Sequence, residues 1–293
     1  MVSFLSYFVN AISLGSVYAL IALGYSMVYG IAKMLNFAHG DIIMIGGYIS
    51  FCILQYLEWP FWAAILGAIL TCTVLGVTIE RIAYKPLRAA TSLAVLITAI
   101  GMSYILQNGA QLIWSSNPKV FADNFSALDF TLFDGELKIS GAVAVTVITN
   151  IVIMVLLTLF TAKTRMGKAM RCVSEDKGAA QLMGINVNMT ISVTFAIGSA
   201  LAAIAGILYC SRYGKLNPTT GAMPGIKAFT AAVLGGIASI PGAFIGGMLL
   251  GLIEIIGNVI APELCDALVF SVLIIMMMFK PTGLLGKKLS EKV

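Results

Sequence analysis

The 293-residue chain predicts an all-α fold: a polytopic transmembrane helical bundle of about eight or nine membrane segments, some broken or re-entrant. Three observations carry this. Hydrophobic residues make up 59% of the chain and charged residues 11%, with a mean hydropathy of +0.98, well beyond what a water-soluble domain carries. Apolar runs of roughly 20 residues recur, each long enough at 1.5 Å per residue to cross a hydrocarbon layer about 30 Å thick. The short alternating segments of a β-barrel are absent, which leaves helices as the way to satisfy backbone polar groups in lipid.

Taken in order, the first span runs from Phe8 to Tyr29. A polar break follows, from Ile31 to Asp41, and holds the chain's single histidine, His39. Ile42 to Leu57 is apolar but short. Trp59-Pro60 reads as an interfacial turn, with the aromatic at headgroup depth and the proline opening the next helix. Phe61 to Ile79 spans again and ends in Glu80-Arg81, before a basic cluster at Lys85 and Arg88. Leu93 to Trp114 carries Gln107, Asn108 and Gln111 near its far end.

A polar loop, 115–140, holds Asp123, Asp129, Asp134 and Glu136 against Lys119 and Lys138. Gly141 to Ala162 returns to a second loop, 163–188, and Thr190 to Ser211 leaves it. Ala228 to Ile240 is a short Gly-rich segment, Pro241 to Ile260 another, and Phe270 to Phe279 closes the last span. A basic tail with Lys280, Lys287, Lys288 and Lys292 follows. No domain boundary interrupts the series, so 1–293 is read as a single transmembrane domain.

Basic residues set the topology. Lys163, Arg165, Lys168, Arg171 and Lys177 place the 163–188 loop inside, together with the tail, by the positive-inside rule. The 115–140 loop and the N-terminus then lie outside, with Arg212 and Lys215 a mild exception. The net charge of +5 is accounted for by these span-end clusters and calls for no nucleic acid. Cys52, Cys72, Cys172, Cys210 and Cys265 are scattered and read as small core hydrophobes rather than a disulfide or metal framework. The first basic residue is Lys33, so a charged leader is not expected and the first span should stay in the membrane.

The 163–188 loop is the longest charged interlude. Its Asp176 can cap a short helix by accepting the free N–H groups of the first turn. Ala179, Leu182 and Met183 then fall on one face, and Gly184 can end the helix in a left-handed conformation. Such a helix is suited to docking in a groove on a soluble partner; the alternative is a solvated connector.

Gly/Pro-interrupted segments occur at Asn36 to Gly47 and at Gly235 to Gly247. Paired breaks of this kind point to a transport site, because unwound backbone offers polar groups at membrane depth. Close helix packing on small residues is the other reading. His39 is either a helix-end hydrogen-bonder or a proton relay. Glu254 is the lone acid of its apolar run. A carboxylate facing lipid costs about 2.5–3.5 kcal/mol, so it must face protein or water, either in a pathway or in a structural hydrogen bond. No nucleophile–base pair, metal spacing or phosphate-binding loop is present, so no catalytic residue, cofactor or bound metal is expected and the chain should not bind ATP itself.

Several motifs together resemble one family, the LivH-type permease subunit of bacterial branched-chain amino-acid ABC importers. They are Tyr18-Ala19-Leu20 with Leu23-Gly24, Asn36-Phe37-Ala38-His39-Gly40, Glu80-Arg81 with Pro86-Leu87-Arg88, and Met166 to Arg171. Ala179-Ala180 with Gly184-Ile185, Gly235-Gly236 to Pro241-Gly242-Ala243, and Lys280 to Gly286 continue in family order. The resemblance implies an inner-membrane permease moving leucine, isoleucine or valine by alternating access. It implies as partners a second, related permease subunit, two cytoplasmic ATPase subunits that hydrolyse the ATP, and a periplasmic substrate-binding protein. It implies ATPase coupling through Glu175, Asp176, Ala179, Ala180, Leu182, Met183, Gly184 and Ile185, although Asp176-Lys177-Gly178 departs from the simplest Glu-Ala-Ala signature. Asn36, His39, Asn108 and Glu254 stand as candidates for the pathway. An ion-coupled secondary transporter of small neutral solutes is the competing class.

Overall fold

The computed structural model describes residues 2–88, 90–122, 125, 128–132 and 137–286. Asp123, Asp134, Glu136, Lys287, Lys288 and Lys292, read above as loop and tail charges, lie outside the described residues.

The chain forms α1 (Val2–Ala32), α2 (His39–Gln55), α3 (Phe61–Ile79), α4 (Ser92–Trp114), α5 (Gly141–Lys163), α6 (Arg165–Glu175), α7 (Lys177–Leu182), α8 (Val187–Tyr213), α9 (Ala222–Gly235), α10 (Ile240–Ile260) and α11 (Cys265–Phe279). A π-helical turn, Glu80–Tyr84, prolongs α3, and a 3-10 turn, Pro262–Leu264, leads into α11. Four short strands complete the described elements: β1 (Lys119–Val120), β2 (Phe130–Leu132), β3 (Leu137–Ile139) and β4 (Lys215–Leu216). β1 pairs antiparallel with β4 and β2 with β3, which ties the 115–122 stretch to the far end of α8.

Among the described residues seven helices are long and apolar enough to cross a membrane: α1, α3 with its π-turn, α4, α5, α8, α10, and α11 with its lead-in. The 17-residue α2 and the 14-residue α9 are too short for that. At 1.5 Å per residue they extend about 26 and 21 Å, less than a hydrocarbon core of about 30 Å. These are the broken segments, and with the seven they make up the bundle.

α1 is the axis. Val17 and the run from Ala19 to Leu23 are fully withdrawn from the surface. Its closest companion is α10, whose Gly247 and Gly251 remove the side chains that would keep the backbones apart. A Cβ at Gly247 would lie 2.3 Å from Ala19 Cα, and one at Gly251 2.2 Å from the Gly15 nitrogen. Gly206 of α8 is pressed on Ile43 of α2 in the same way, with a Cβ there 2.2 Å from the Ile43 carbonyl oxygen. Small residues let helices approach where apolar side chains gain nothing over lipid, and these glycines are in such close contacts. Outward-facing Leu66 and Leu70 of α3, Ile97 and Ile105 of α4, and Ile148 and Leu156 of α5 form the exposed apolar surface that lipid requires.

The last third differs from expectation in its boundaries. The sequence places a segment from Ala228 to Ile240. The helix instead runs from Ala222 to Gly235 and stops at Gly236, whose φ of 108° lies outside what a side-chain-bearing residue readily adopts. Ser239 accepts from the Gly242 N–H at 3.2 Å and opens α10, with Pro241 in its first turn. The described end of the chain folds back here: Leu284 and Leu285 donate to the carbonyls of Leu234 and Gly235, each at 2.9 Å.

Candidate translocation pathway and coupling helix

The break between α1 and α2 is built around Asn36, His39 and Asp41, all buried. Lys33, at φ 57°, turns the chain out of α1. Asn36 is then fixed from the side, because the Tyr84 hydroxyl on the π-turn donates to its Oδ1 at 2.8 Å. His39, the first residue of α2, sets its ring 4.6 Å from that of Tyr25 and fits into the space left by Gly24. Asp41 sits in the first turn of α2, where a carboxylate meets the positive end of the helix dipole. Gln107 of α4 donates to it at 2.9 Å and to the Ser103 hydroxyl at 3.1 Å.

α9 starts against the same point. A Cβ at Gly221 would lie 1.8 Å from the Gly40 carbonyl oxygen, and one at Gly225 2.9 Å from Gly40 Cα. The beginnings of two short helices therefore meet inside the bundle, with Tyr25 beside both. The Tyr25 hydroxyl has no hydrogen-bond partner among the described residues, and its ring lies 6.1 Å from that of Phe229 on α9. A small, mostly apolar cavity lies alongside, lined by Tyr25, Val28, Met34, Asn36, Phe229 and Ala232 among others. The sequence singles out Asn36 to Gly47 and Gly235 to Gly247 as the two interrupted segments; in the structure the first of them packs against the start of α9, near Gly221.

Of the pathway candidates, Asn36 and His39 are brought together, and the other two are not. Asn108 lies exposed on the outer face of α4, its amide donating to the Tyr104 carbonyl at 2.8 Å, while neighbouring Gln107 turns inward. Glu254 is bound elsewhere: Lys227 of α9 donates to its Oε1 at 2.8 Å and also lies 2.7 Å from an Asp266 oxygen at the start of α11. Sequence reasoning missed Lys227, Asp41 and Tyr84. A signal for Lys227 was available, since it is the only basic residue between Lys215 and Lys280 and a buried carboxylate needs a partner.

The 163–188 loop folds as α6 and α7. The Asp176 carboxylate accepts from the N–H groups of Gly178 at 2.8 Å and Ala179 at 3.0 Å. At the other end Gly184 takes φ 80°, its N–H donating to Gln181 and that of Ile185 to Ala180, each at 3.0 Å. This pair of bonds is the Schellman closure, which frees the chain to leave the helix without orphaned carbonyls. Glu175 and Ala179 are exposed, and Leu182 and Met183 are 91% and 83% exposed, extreme values for such apolar side chains. Ala180 departs from the expected outward face. It is buried at 3% exposure, and Ile185 is partly buried against the same core, because a helix this short rests one of its sides on the protein.

Two polar attachments tie this region to the bundle. Arg88 pairs with both Glu80 and Asn188, and the Ser192 hydroxyl donates to Glu80 at 2.7 Å. The Lys177 ammonium donates to the Ala32 carbonyl, the last of α1, at 3.0 Å. Burial, then the nearby Arg88 and Lys33, hold the Lys177 pKa below the ordinary lysine value.

Comparison with known proteins gives this arrangement a family. The profile of the family described as branched-chain amino acid transport system / permease component matches residues 7–278. The chain is 43% identical to the high-affinity branched-chain amino acid transport system permease protein BraD of Pseudomonas aeruginosa, over 99% of this chain and 98% of that one. It is 44% identical to the permease protein LivH of the corresponding Escherichia coli system, with the same coverage. A solved structure, PsaBC from Streptococcus pneumoniae in complex with Fab, shares the fold at a TM-score of 0.50 and 16% identity, covering 93% of this chain and 91% of that one. The chain belongs to the family of permease components of branched-chain amino acid transport systems.

Proposed function

We propose that the chain is the membrane-spanning permease subunit of an ATP-driven importer of branched-chain amino acids, working by alternating access. The observation that carries this is the 43% and 44% identity, over 99% of this chain, to BraD and LivH, both named for high-affinity branched-chain amino acid transport. Two permeases, this chain and a related one, would form the pathway in a bacterial inner membrane. Two cytoplasmic ATPase subunits would drive it, and a periplasmic binding protein would deliver the leucine, isoleucine or valine.

Residues 163–188 would lie in the cytoplasm and 115–140 in the periplasm. Leu182 and Met183 suit the docking role, being apolar side chains presented to solvent on a helix capped at both ends. ATP-driven closure of the ATPases would move α7, and rigid-body motion of the adjoining helices would expose the pathway to one side at a time. The meeting point of α2 and α9 supplies the discontinuous helices from which transport sites are commonly built.

The test is reconstitution of the purified complex in proteoliposomes. Labelled leucine should accumulate only with binding protein outside and ATP inside. Accumulation by this chain alone under an ion gradient would establish secondary transport instead.

A further inference from the structure

α7 begins with a charge that its own position disfavours. Lys177 occupies the first turn, where the helix dipole repels a cation, and it is partly buried with Arg88 and Lys33 close by. What compensates is not in α7. Its ammonium meets the Ala32 carbonyl at 3.0 Å, one of those a helix leaves without an internal partner, at the negative end of the α1 dipole. The first residue of α7 therefore caps the central helix of the bundle. A local rule broken at one element and compensated at another marks a connection between the two.

The connection leads to the break. Immediately after Ala32 the chain turns at Lys33 and carries Asn36 up to His39. Asn36 is held on its other side by Tyr84, on the same turn as Glu80. Glu80 binds Arg88 and Ser192, and Arg88 binds Asn188 in the first turn of α8. The break is thus held at Ala32, by the first residue of α7, and at Asn36, by a turn that is tied to the start of α8, the helix that follows α7.

We propose that Lys177 is a positioning residue through which displacement of α7 is passed to the end of α1 and so to the 33–38 break. This rests on the reading of α7 as the helix that docks on an ATPase. Capped at both ends, α7 moves as one unit. Shifting it must either carry Ala32 along or break a charge-assisted hydrogen bond in partly desolvated surroundings.

The test compares the wild-type complex with Lys177→Met and Lys177→Arg in proteoliposomes. Methionine keeps the apolar stem and loses the charge, whereas arginine retains a cationic donor. The expected result for Lys177→Met is about a tenfold fall in maximal uptake and in substrate-stimulated ATP hydrolysis. ATPase co-purification and the leucine concentration for half-maximal uptake should stay unchanged, and Lys177→Arg should recover most of the rate. Normal uptake by Lys177→Met overturns the proposal. So does loss of the ATPase, which would make Lys177 a docking contact, or failure of both Lys177→Met and Lys177→Gln to assemble, which would make it a folding anchor. If the wild-type complex itself shows no ATP-driven uptake, the importer reading fails and takes this inference with it.

Discussion

Lys227 on α9 donates to Glu254 on α10 across 2.8 Å, and both are more than nine-tenths withdrawn from the surface. Because Lys227 also contacts Asp266 on α11 at 2.7 Å, one cation ties three helices together. This favours a structural role for Glu254 over a place in the pathway. Removing one partner of a buried pair leaves an uncompensated charge, at a cost of about 3–5 kcal/mol. Lys227→Met should therefore reduce the yield and thermal stability of the purified complex sharply. Glu254→Gln leaves Lys227 paired with Asp266 and should do so only mildly. Equal losses in thermal unfolding would show that Asp266 does not share the charge.

The docking face should be selective. Leu182 is nearly fully exposed, so Leu182→Asp ought to leave the folded permease intact and reduce ATPase co-purification by about tenfold or more, as for an apolar anchor of a contact. Ala180→Arg should fail earlier, because Ala180 lies inside this chain's own core and the arginine must displace packed neighbours. The check is the amount of monodisperse permease beside the amount of ATPase retained. Normal folding of Ala180→Arg with selective ATPase loss would return Ala180 to the docking surface.

Much of this was legible in the sequence, for a physical reason. The apolar runs, the Trp59-Pro60 turn and the Asp176 and Gly184 caps are local signals; the structure repeats the turn and the caps at the expected residues and the runs to within several residues, apart from the shifted α9. Three-dimensional pairing was not legible. Nothing in the spacing says that the break at Asn36 meets Gly221 rather than Gly235, or that Gln107 turns inward while Asn108 does not. Lys227 was passed over because it borders an apolar run. Its role appears only when α9, α10 and α11 are laid side by side.

Gly184 separates backbone demand from packing. Its φ is 80°, yet a Cβ there would meet nothing among the described residues within 4 Å. Any effect of substitution must therefore come from the left-handed conformation, which disfavours β-branched residues by about 1–2 kcal/mol. Gly184→Val should lower coupled uptake several-fold, and Gly184→Asn should be close to normal, since asparagine tolerates this region. Matching defects in the two variants, measured as leucine uptake in proteoliposomes, would mean that the glycine is required for space.

Orientation can be read directly in intact cells. In a cysteine-free background, Lys168→Cys on α6 and Val120→Cys on β1 occupy exposed positions in the two loop regions. An impermeant maleimide should label Val120→Cys in whole cells and Lys168→Cys only after the membrane is opened. The basic residues of 163–188 motivate this assignment. The reverse pattern would invert the whole bundle and exclude α7 as a cytoplasmic docking helix.

The meeting of α2 and α9 makes the strictest demand on side-chain size. A Cβ at Gly221 would lie 1.8 Å from the Gly40 carbonyl oxygen, and one at Gly40 would lie 2.4 Å from the Gly221 oxygen. These are backbone atoms at the starts of two helices, so no rotamer change relieves the overlap and one helix must move. Such overpacking costs on the order of 3 kcal/mol. The displacement would fall on the element that carries His39 and Asp41, and through Asp41 on its bond to Gln107. Gly221→Ala should thus lower uptake at least about tenfold even where the complex assembles, because a misplacement near 1 Å can cost that much or more in a site of fixed geometry. Gly101→Ala on α4 is the matched control, since a Cβ there meets nothing among the described residues within 4 Å and uptake should be unchanged. The measurement is ATP-driven leucine uptake per assembled complex. If Gly221→Ala transports like Gly101→Ala, the two helix starts are free to separate, and their junction is not a fixed part of the pathway.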